Sequence, residues 1–488
     1  MESPAKTIAI AGASGFVGTS LRTALGHKYK WIGLTRSETV VEKAGAEETT
    51  WRRCDLFSLP QVRTALEGAD MAIYMVHSML PSSRLVQGNF RDMDLLLADN
   101  FIRAAEEAGV KRVIYIGGLI PTREDESRLS PHLASRLEVE RVLGCRSVPL
   151  TVLRAGLIFG PGGSSARMLL NLTRRLPFML LPAWTRNRTQ SVDIRDIVRA
   201  LELCLEDDTY TGTFDIAGHK PMSYGDMILR TSELLGGKTA SLSIPFNMVR
   251  LSRRWVSLFG STPTYLVGPL LESLRHSLEA RTNPLLEAIM KEAIPFDQSV
   301  RDSIDAEGRP LPNPRQTILK EDSEKLFRAK RVRSIQRMPL PDHWSAPKLS
   351  HTYASWISRF TLGIVREDRN GDGILRFRFF GSKLVLLEFT PTPYSADCRY
   401  RRAYYITGGS LAKKVDPPGR FELRIFPELG CLITAIHGYN PRIPWWLYSV
   451  SQAYVHLAVM KAFSRFLGKL RAQIAKESRE AGTSGNCD

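Results

Sequence analysis

The sequence predicts a doubly wound α/β domain, then a helical stretch and a second, α+β domain of antiparallel strands with one long helix. Three observations carry this prediction. Short, almost continuously apolar runs alternate with helical stretches through the first half of the chain. A glycine-rich turn separates the first run from the first helix. Past a stretch crowded with proline and charge, the pattern changes to successive short strands.

The alternation begins with a strand at 7–11 and a helix at 16–25, followed by a strand at 31–34 and a third strand just ahead of Cys54. It continues with 71–75 as strand and 90–108 as helix, 112–116 as strand and 133–143 as helix, and 150–153 as the next strand. Apolar runs of this kind belong to a parallel sheet covered on both faces, because no position then faces water. A parallel sheet with helical crossovers is doubly wound. After the sixth strand come Gly160-Pro161-Gly162-Gly163, a helix over 169–176, and an arginine-rich loop at 184–188 with Trp184, Arg186 and Arg188. These pieces read as a lid or substrate subdomain, and Arg186 and Arg188 suit an anionic or carbonyl group as well as they suit solvent. The strand at 213–217 and the helix at 224–235 read as the return to the sheet.

Beyond 241 the pattern is helical, with helices expected at 247–259 and 266–278. Residues 302–347 hold Pro310, Pro312, Pro314, Pro339 and Pro341 among many charges and read as a linker. Strands follow at 374–380, 383–389, 400–407, 421–426 and 431–437, and a helix at 444–476. The organisation expected is therefore 1–240, a helical extension at 241–301, a linker at 302–347, the α+β domain at 348–480, and a disordered tail at 481–488.

Composition narrows the class. A hydrophobic fraction of 43% and a charged fraction of 24% are ordinary for a globular protein. The net charge of +17 attracts phosphates, nucleic acid or anionic lipid. The cations are dispersed and no nucleic-acid-binding motif is present, so an anionic cofactor or a membrane surface is expected and nucleic acid is not. The six cysteines lie far apart without a CxxC pair, which argues against a metal site and a disulfide framework and suits a reducing, cytoplasmic setting. Residues 1–6 carry no apolar signal region. The most apolar span, 443–460, includes Ser449, Ser451, Gln452 and His456, which is poor for crossing a bilayer.

The sharpest chemical signal is Gly12-Ala13-Ser14-Gly15-Phe16-Val17-Gly18, directly after the first strand and opening the first helix. Gly12 permits a tight turn, Gly15 lets backbone approach a pyrophosphate, and Gly18 lets helix and strand pack closely. The helix N-terminus offers its N–H groups to the phosphates. This is the dinucleotide fingerprint of a Rossmann-type sheet. At the end of the second strand stands Arg36, where an NAD-specific site usually has a carboxylate. A guanidinium there suits a 2′-phosphate and hence NADP(H), while the neighbouring Glu38 keeps NAD(H) open. Asp55, with Leu56, follows the third strand and could reach an adenine amino group or simply cap a turn. Val76 and His77 follow the fourth strand, at the edge where ligands collect in open α/β sheets, and read as cofactor contacts.

These segments, with 74–79, 153–160 and 191–197, resemble the atypical or extended branch of the short-chain dehydrogenase/reductase superfamily, related to NmrA-like proteins and nucleotide-sugar epimerases. The resemblance covers about residues 6–235. The region past the linker is similar to an uncharacterised domain accompanying such Rossmann domains, related in turn to helix-grip lipid-binding folds. Active members of the superfamily use a Tyr-x-x-x-Lys pair for acid–base work. Here His132 stands for the tyrosine and Arg136 for the lysine, and Gly117-Gly118 replaces the usual serine. His132 is therefore either a substitute acid with Arg136 as electrostatic partner or one of two surface residues whose catalytic role has lapsed. The resemblance implies an NADPH-dependent oxidoreductase acting on a small or lipid-like carbonyl substrate. A non-catalytic dinucleotide sensor or assembly factor, and a lipid-handling protein regulated by nucleotide, stay open beside it.

Two further readings concern the second domain. Asp368-Arg369-Asn370-Gly371-Asp372-Gly373 copies the start of a calcium loop, but Phe379 occupies the position of the bidentate glutamate, so a hairpin turn is expected. Trp445, Trp446 and Tyr448 beside a basic helix read first as core, with peripheral contact to lipid as the functional alternative.

Overall fold

The computed structural model describes residues 5–43, 49–78, 82–121, 125–176, 178–237, 240–246, 258, 260, 268, 271–313, 315–393 and 398–483. The chain divides into two units, residues 1–80 with 94–322 and residues 81–93 with 323–488.

The first unit opens with β1 (Thr7–Ala11), α1 (Phe16–Leu25), β2 (Lys30–Thr35), α2 (Glu38–Glu42), β3 (Thr49–Arg53), α3 (Leu59–Leu66) and β4 (Met71–Tyr74). A short strand, β5 (Leu85–Gln87), belongs to the second unit and precedes α4 (Phe90–Glu107). The first unit resumes with β6 (Arg112–Gly118), α5 (Pro131–Leu143), β7 (Leu150–Ala155), β8 (Leu157–Phe159), α6 (Ser164–Arg175) and β9 (Phe178–Leu181). It continues through β10 (Arg188–Thr189), β11 (Ser191–Asp193), α7 (Ile194–Glu206), β12 (Gly212–Ile216), β13 (Met222–Ser223), α8 (Tyr224–Leu234) and β14 (Ala240–Ser243). Among its described residues α9 (Pro284–Met290) and α10 (Phe296–Arg301) follow.

Seven strands form one parallel sheet in the order β12-β7-β6-β4-β1-β2-β3. The order reverses between β1 and β4, which pair with Ala11 opposite Tyr74. That reversal opens a crevice at the carboxyl ends of the two strands. The continuous apolar runs are explained by burial on both faces: Ile8, Ala9, Ile10 and Ala11 of β1 and Ala72, Ile73 and Tyr74 of β4 are fully buried. Helix α7 supplies the complementary face, with Ile197, Leu201, Cys204 and Leu205 at helical spacing against Ile8, Ile10 and Leu21.

The inserted pieces form small two-stranded pairs, β8 with β11, β9 with β14 and β10 with β13. Within the arginine-rich loop Trp184 is buried and packs edge-on against Tyr224, with ring centroids 6.1 Å apart. It is a core anchor, while Arg186 and Arg188 are exposed. Most of the helices expected at 247–259 and 266–278 lie outside the described residues.

The stretch 302–347, expected as a linker, differs from that expectation. It contains α11 (Gln316–Arg328) and β15 (Val332–Pro339), and it ends on the first residues of α12 (Ala346–Phe360). Pro339 misled because it closes β15. The charges misled because they find partners: Arg337 Nε donates to Asp92 Oδ1 at 2.7 Å.

The second unit continues with β16 (Val365–Arg369), β17 (Leu375–Phe379), β18 (Val385–Pro391), β19 (Arg401–Gly408), β20 (Gly419–Phe426), β21 (Cys431–Tyr439), α13 (Trp445–Val450) and α14 (Gln452–Thr483). Its sheet runs β16-β17-β18-β19-β20-β21-β15-β5. It is antiparallel apart from the β15–β5 edge, where Val332 lies opposite Leu85. A three-residue strand carries no readable periodicity, which is why the sequence leaves residues 85–87 in the first domain. The hairpin expected around Asn370-Gly371 joins β16 to β17, with Gly373 at φ +76°. The single helix expected at 444–476 is broken at Ser451, whose φ of −128° and ψ of −85° are not helical.

The core of this unit lies between the sheet and helices α12 and α14. Tyr353 and Trp356 of α12 meet Phe463 of α14 with ring centroids 5.0 and 5.1 Å apart, and Tyr353 stacks on Phe421 of β20 at 5.5 Å. Trp445 packs against this core and Tyr448 is buried in it, whereas Trp446 is exposed. Phe463→Ala removes the ring that links α12 to α14. The expected cost is about 3–5 kcal/mol, read as a lower urea midpoint for the intact chain; an unchanged midpoint would place the unit's stability elsewhere.

Candidate active site at the crevice of the parallel sheet

The turn after β1 is built from glycine for steric reasons. Gly12 sits at φ +97°, a conformation that side chains rarely adopt. A Cβ on Gly18 would lie 2.5 Å from the Gly12 carbonyl oxygen and 2.8 Å from Ala13 Cα. Helix α1 therefore meets the end of β1 more closely than any side chain permits. Gly15, whose N–H donates to the Gly12 carbonyl at 2.8 Å, caps α1 without a side-chain acceptor. The first turn of α1 carries no acid. A helix start with no side-chain cap and no acid in its first turn suits an anion.

At the end of β2, Arg36 is exposed and Ser37 caps α2, its hydroxyl accepting from Val40 N at 3.2 Å. The same hydroxyl donates to Asp322 Oδ1 at 2.8 Å, and Lys43 pairs with Glu321 at 3.0 Å, so α11 lies along α2. Arg315, just before α11, comes close to Arg36 as a result. Burial pushes the Arg315 guanidinium down, the charge of Arg36 adds to that, and Asp322 opposes both. Glu38, the alternative acid at this point, pairs with Arg53 at 2.5 Å. Asp55 shapes the turn into α3, accepting from Phe57 N at 3.2 Å, while Leu56 is buried beside it.

The polar centre of the site lies just past β4. A Cβ on Gly12 would meet the Met75 carbonyl at 3.2 Å, so the chain leading to Val76 and His77 runs directly against the glycine turn. His77 Nδ1 lies 2.6 Å from Asp94 Oδ2, and His77 Nε2 lies 3.2 Å from His132 Nδ1. Asp94, near the start of α4, is fully buried, and Oδ1 accepts from Ser78 N at 2.7 Å and Ser78 Oγ at 2.6 Å. Ser135 Oγ donates to Oδ2 at 3.1 Å. His132 stands in the first turn of α5, whose N-cap Ser130 accepts from Leu133 N. Arg136, one turn further on, donates to the Tyr115 hydroxyl at 3.4 Å.

The charge states of this chain follow from its surroundings. Burial pushes Asp94 up, but the His77 ring, Arg136 and the Ser78 donors outweigh it and hold the carboxyl below its ordinary range. Burial and Arg136 lower His77 despite Asp94. Burial, Arg136 and His77 push His132 down to about 2. At neutral pH the chain therefore holds one carboxylate and two neutral imidazoles. An ionised Asp94 only accepts, so His77 carries its proton on Nδ1 and presents Nε2 as an acceptor. His132 must then donate from Nδ1.

Sequence reasoning singled out His77 and His132 separately, and the structure brings them together. Arg136 acts on both rings through its charge, while its hydrogen bond goes to Tyr115. Asp94 and Arg315 were missed. The sequence does carry a signal for Asp94, a carboxylate inside the apolar pattern of α4. Arg315 carries none, since it comes from a stretch read as linker.

A histidine held neutral in the fold makes stability fall on acidification. The unfolded ring binds a proton near its ordinary value of about 6.5 and the folded ring does not, so stability is full above that value and declines as pH falls below it. Between pH 7 and pH 5, His132→Gln should lose about 2 kcal/mol less stability than the parent protein, read from urea midpoints at the two pH values. Equal losses would mean that the ring charges freely in the fold.

Residues 4–173 match the NmrA-like family. Among curated proteins, the auxiliary protein GraX of Staphylococcus aureus is 31% identical over 125 residues, which are 26% of this chain and 40% of that protein. The 3beta-hydroxysteroid-dehydrogenase/decarboxylase isoform 3 of Arabidopsis thaliana is 25% identical over 292 residues, 51% of this chain and 50% of that protein. The match thus spans half or less of each of these two relatives. Among solved structures, the Citrobacter triphenylmethane reductase complexed with NADP(H) aligns over 61% of this chain and 100% of its own, with 16% identity and a TM-score of 0.49. Residues 4–173, which carry the glycine turn, are thus similar to the NmrA-like family over about a third of the chain.

Proposed function

We propose that the protein is an NADP(H)-dependent oxidoreductase in which Asp94, His77 and His132 do the proton work that a Tyr-x-x-x-Lys pair does elsewhere in the superfamily. The carboxylate–imidazole–imidazole chain against the glycine turn carries this reading. Gly12, Ala13, Ser14, Gly15, Phe16, Val17 and Gly18 would hold the pyrophosphate, because the uncapped start of α1 and the close approach at Gly18 suit that group. Arg36, with Arg315 beside it, would hold a 2′-phosphate, while Asp55, Leu56, Val76 and His77 would line the rest of the crevice. When bound, the nicotinamide supplies hydride exchange.

The chain's own residues supply the proton path. In this reading the His132 ring takes up the hydroxyl proton of an alcohol substrate. The resulting imidazolium shares its Nδ1 proton with His77, whose other nitrogen is held by the Asp94 carboxylate. In the reverse direction the imidazolium returns the proton to a carbonyl oxygen. A small or lipid-like alcohol or carbonyl compound is the proposed substrate class. The 3beta-hydroxysteroid enzyme name among the relatives agrees with such a substrate and proves nothing about it. A dinucleotide sensor without turnover is the competing reading, supported by the absent Tyr-x-x-x-Lys pair.

Titration should give tighter binding of NADPH than NADH, and Arg36→Ala should remove most of that preference; equal affinities in the parent protein would sink the NADP(H) assignment. With a panel of alcohols and carbonyls followed by nicotinamide absorbance, His132→Gln and Asp94→Asn should each lower kcat by about 10²- to 10⁴-fold with NADPH binding unchanged. Binding without turnover of any compound would favour the sensor.

A further inference from the structure

The second unit carries a projecting apolar tip that its core does not require. Phe360 ends α12, Leu362 and Ile364 form the turn into β16, and Phe379, Phe380 and Leu384 form the turn between β17 and β18. Leu362 is 91% exposed, and the other five are 47–55% exposed. The two turns form one surface, since Phe380 N donates to the Ile364 carbonyl at 2.8 Å and Phe379 N to the Leu384 carbonyl at 3.0 Å. The tip is braced from below by Phe360, which stacks on Trp356 at 4.6 Å. Leu362 has φ +51°, a backbone conformation unfavourable for a leucine, and its side chain gains almost no burial in return.

Charge selects the occupant. The segments 358–366 and 376–385 contain Arg359, Arg366, Arg376, Arg378 and Lys383 and no acid at all. Arg376 and Arg378 are engaged by Glu388 and Asp368. Arg359, Arg366 and Lys383 remain around the apolar residues, with the Arg366 guanidinium 4.6 Å from the Phe380 ring centre. Two adjoining turns of exposed aromatic and aliphatic side chains interspersed with cations suit a bilayer surface, where the apolar groups enter the acyl boundary and the cations meet anionic headgroups. A second group of exposed apolar residues in this unit, Trp446, Val450, Tyr454 and Val455, is flanked by Arg442 and Lys461 and serves as the control surface. No helix among the described residues is long and apolar enough to cross a membrane. We propose that the tip formed by residues 360–364 and 379–384 docks the protein peripherally on anionic lipid.

The test uses the full chain in co-sedimentation with vesicles of phosphatidylcholine alone and of phosphatidylcholine mixed equally with phosphatidylserine, at low and high salt. The parent protein should bind the mixed vesicles, more weakly at high salt, and bind phosphatidylcholine far less. Leu362→Glu/Phe380→Glu should lower partitioning at least about ten-fold, with the thermal unfolding curve as the check of folding. If that variant does not fold, Arg366→Glu/Lys383→Glu replaces it and should abolish the salt-sensitive binding. Three results would overturn the proposal. One is no binding of the parent protein to mixed vesicles. The second is loss of binding on Trp446→Ser/Tyr454→Ser with the tip variants unaffected. The third is light scattering in which the tip substitution converts a dimer to a monomer while vesicle binding is absent, which would assign the tip to a second copy of the chain.

Discussion

A carboxylate withdrawn from water must be met by donors or lose its charge, and Asp94 is met by four: Ser78 N, Ser78 Oγ, Ser135 Oγ and His77 Nδ1. The chemistry of the first unit depends on that constraint. Because the acid stays ionised it can only accept, and this fixes the tautomer of His77. His77 in turn fixes that of His132. One buried charge thus determines which nitrogen of the next ring along the hydrogen-bonded chain donates. The same charge ties the loop after β4 to α4 and α5, so the three segments that make the site cannot drift apart without exposing an unpaired group.

The glycine turn imposes the complementary constraint on the other side of the crevice. Its backbone contacts leave no room for a Cβ at Gly18, which seats α1 on the end of β1, while Gly12 lies against Met75 at the end of β4. Short sheet connections and a reversal of strand order bring two kinds of group together at one place: backbone donors suited to phosphate, and a buried polar chain suited to moving a proton.

The second unit solves burial differently. Aromatic rings from α12, α14 and the sheet fill its core, and a charged group is buried on the opposite face of β20 from Phe421 and Leu423. Glu422 is buried between Arg401 and Arg424 with Arg420 close by. Burial pushes its carboxyl up, and the arginines more than reverse this, holding it well below the ordinary range. Removing one member of such a cluster leaves an unpaired buried charge, whereas the cluster as a whole need add little to stability. It also explains why strands of this unit contain arginine at positions that read as solvent-facing.

Local pattern was enough for the first sheet, since continuous apolar runs, helical spacing and the glycine spacing are all short-range properties of the chain. The same holds for the hairpin at Asn370-Gly371 and for five of the later strands. What the sequence could not determine were partners brought together across large separations. β15 was hidden among prolines and charges because its stabilising neighbours, β21 and the three-residue β5, lie far away along the chain. His77, Asp94 and His132 come from three segments, none of which shows its role alone, and Arg315 reaches Arg36 only because α11 folds along α2. Periodicity records which face of an element is buried. Which charge meets which ring is decided by packing, because the energy of a buried polar group depends on its neighbours in space.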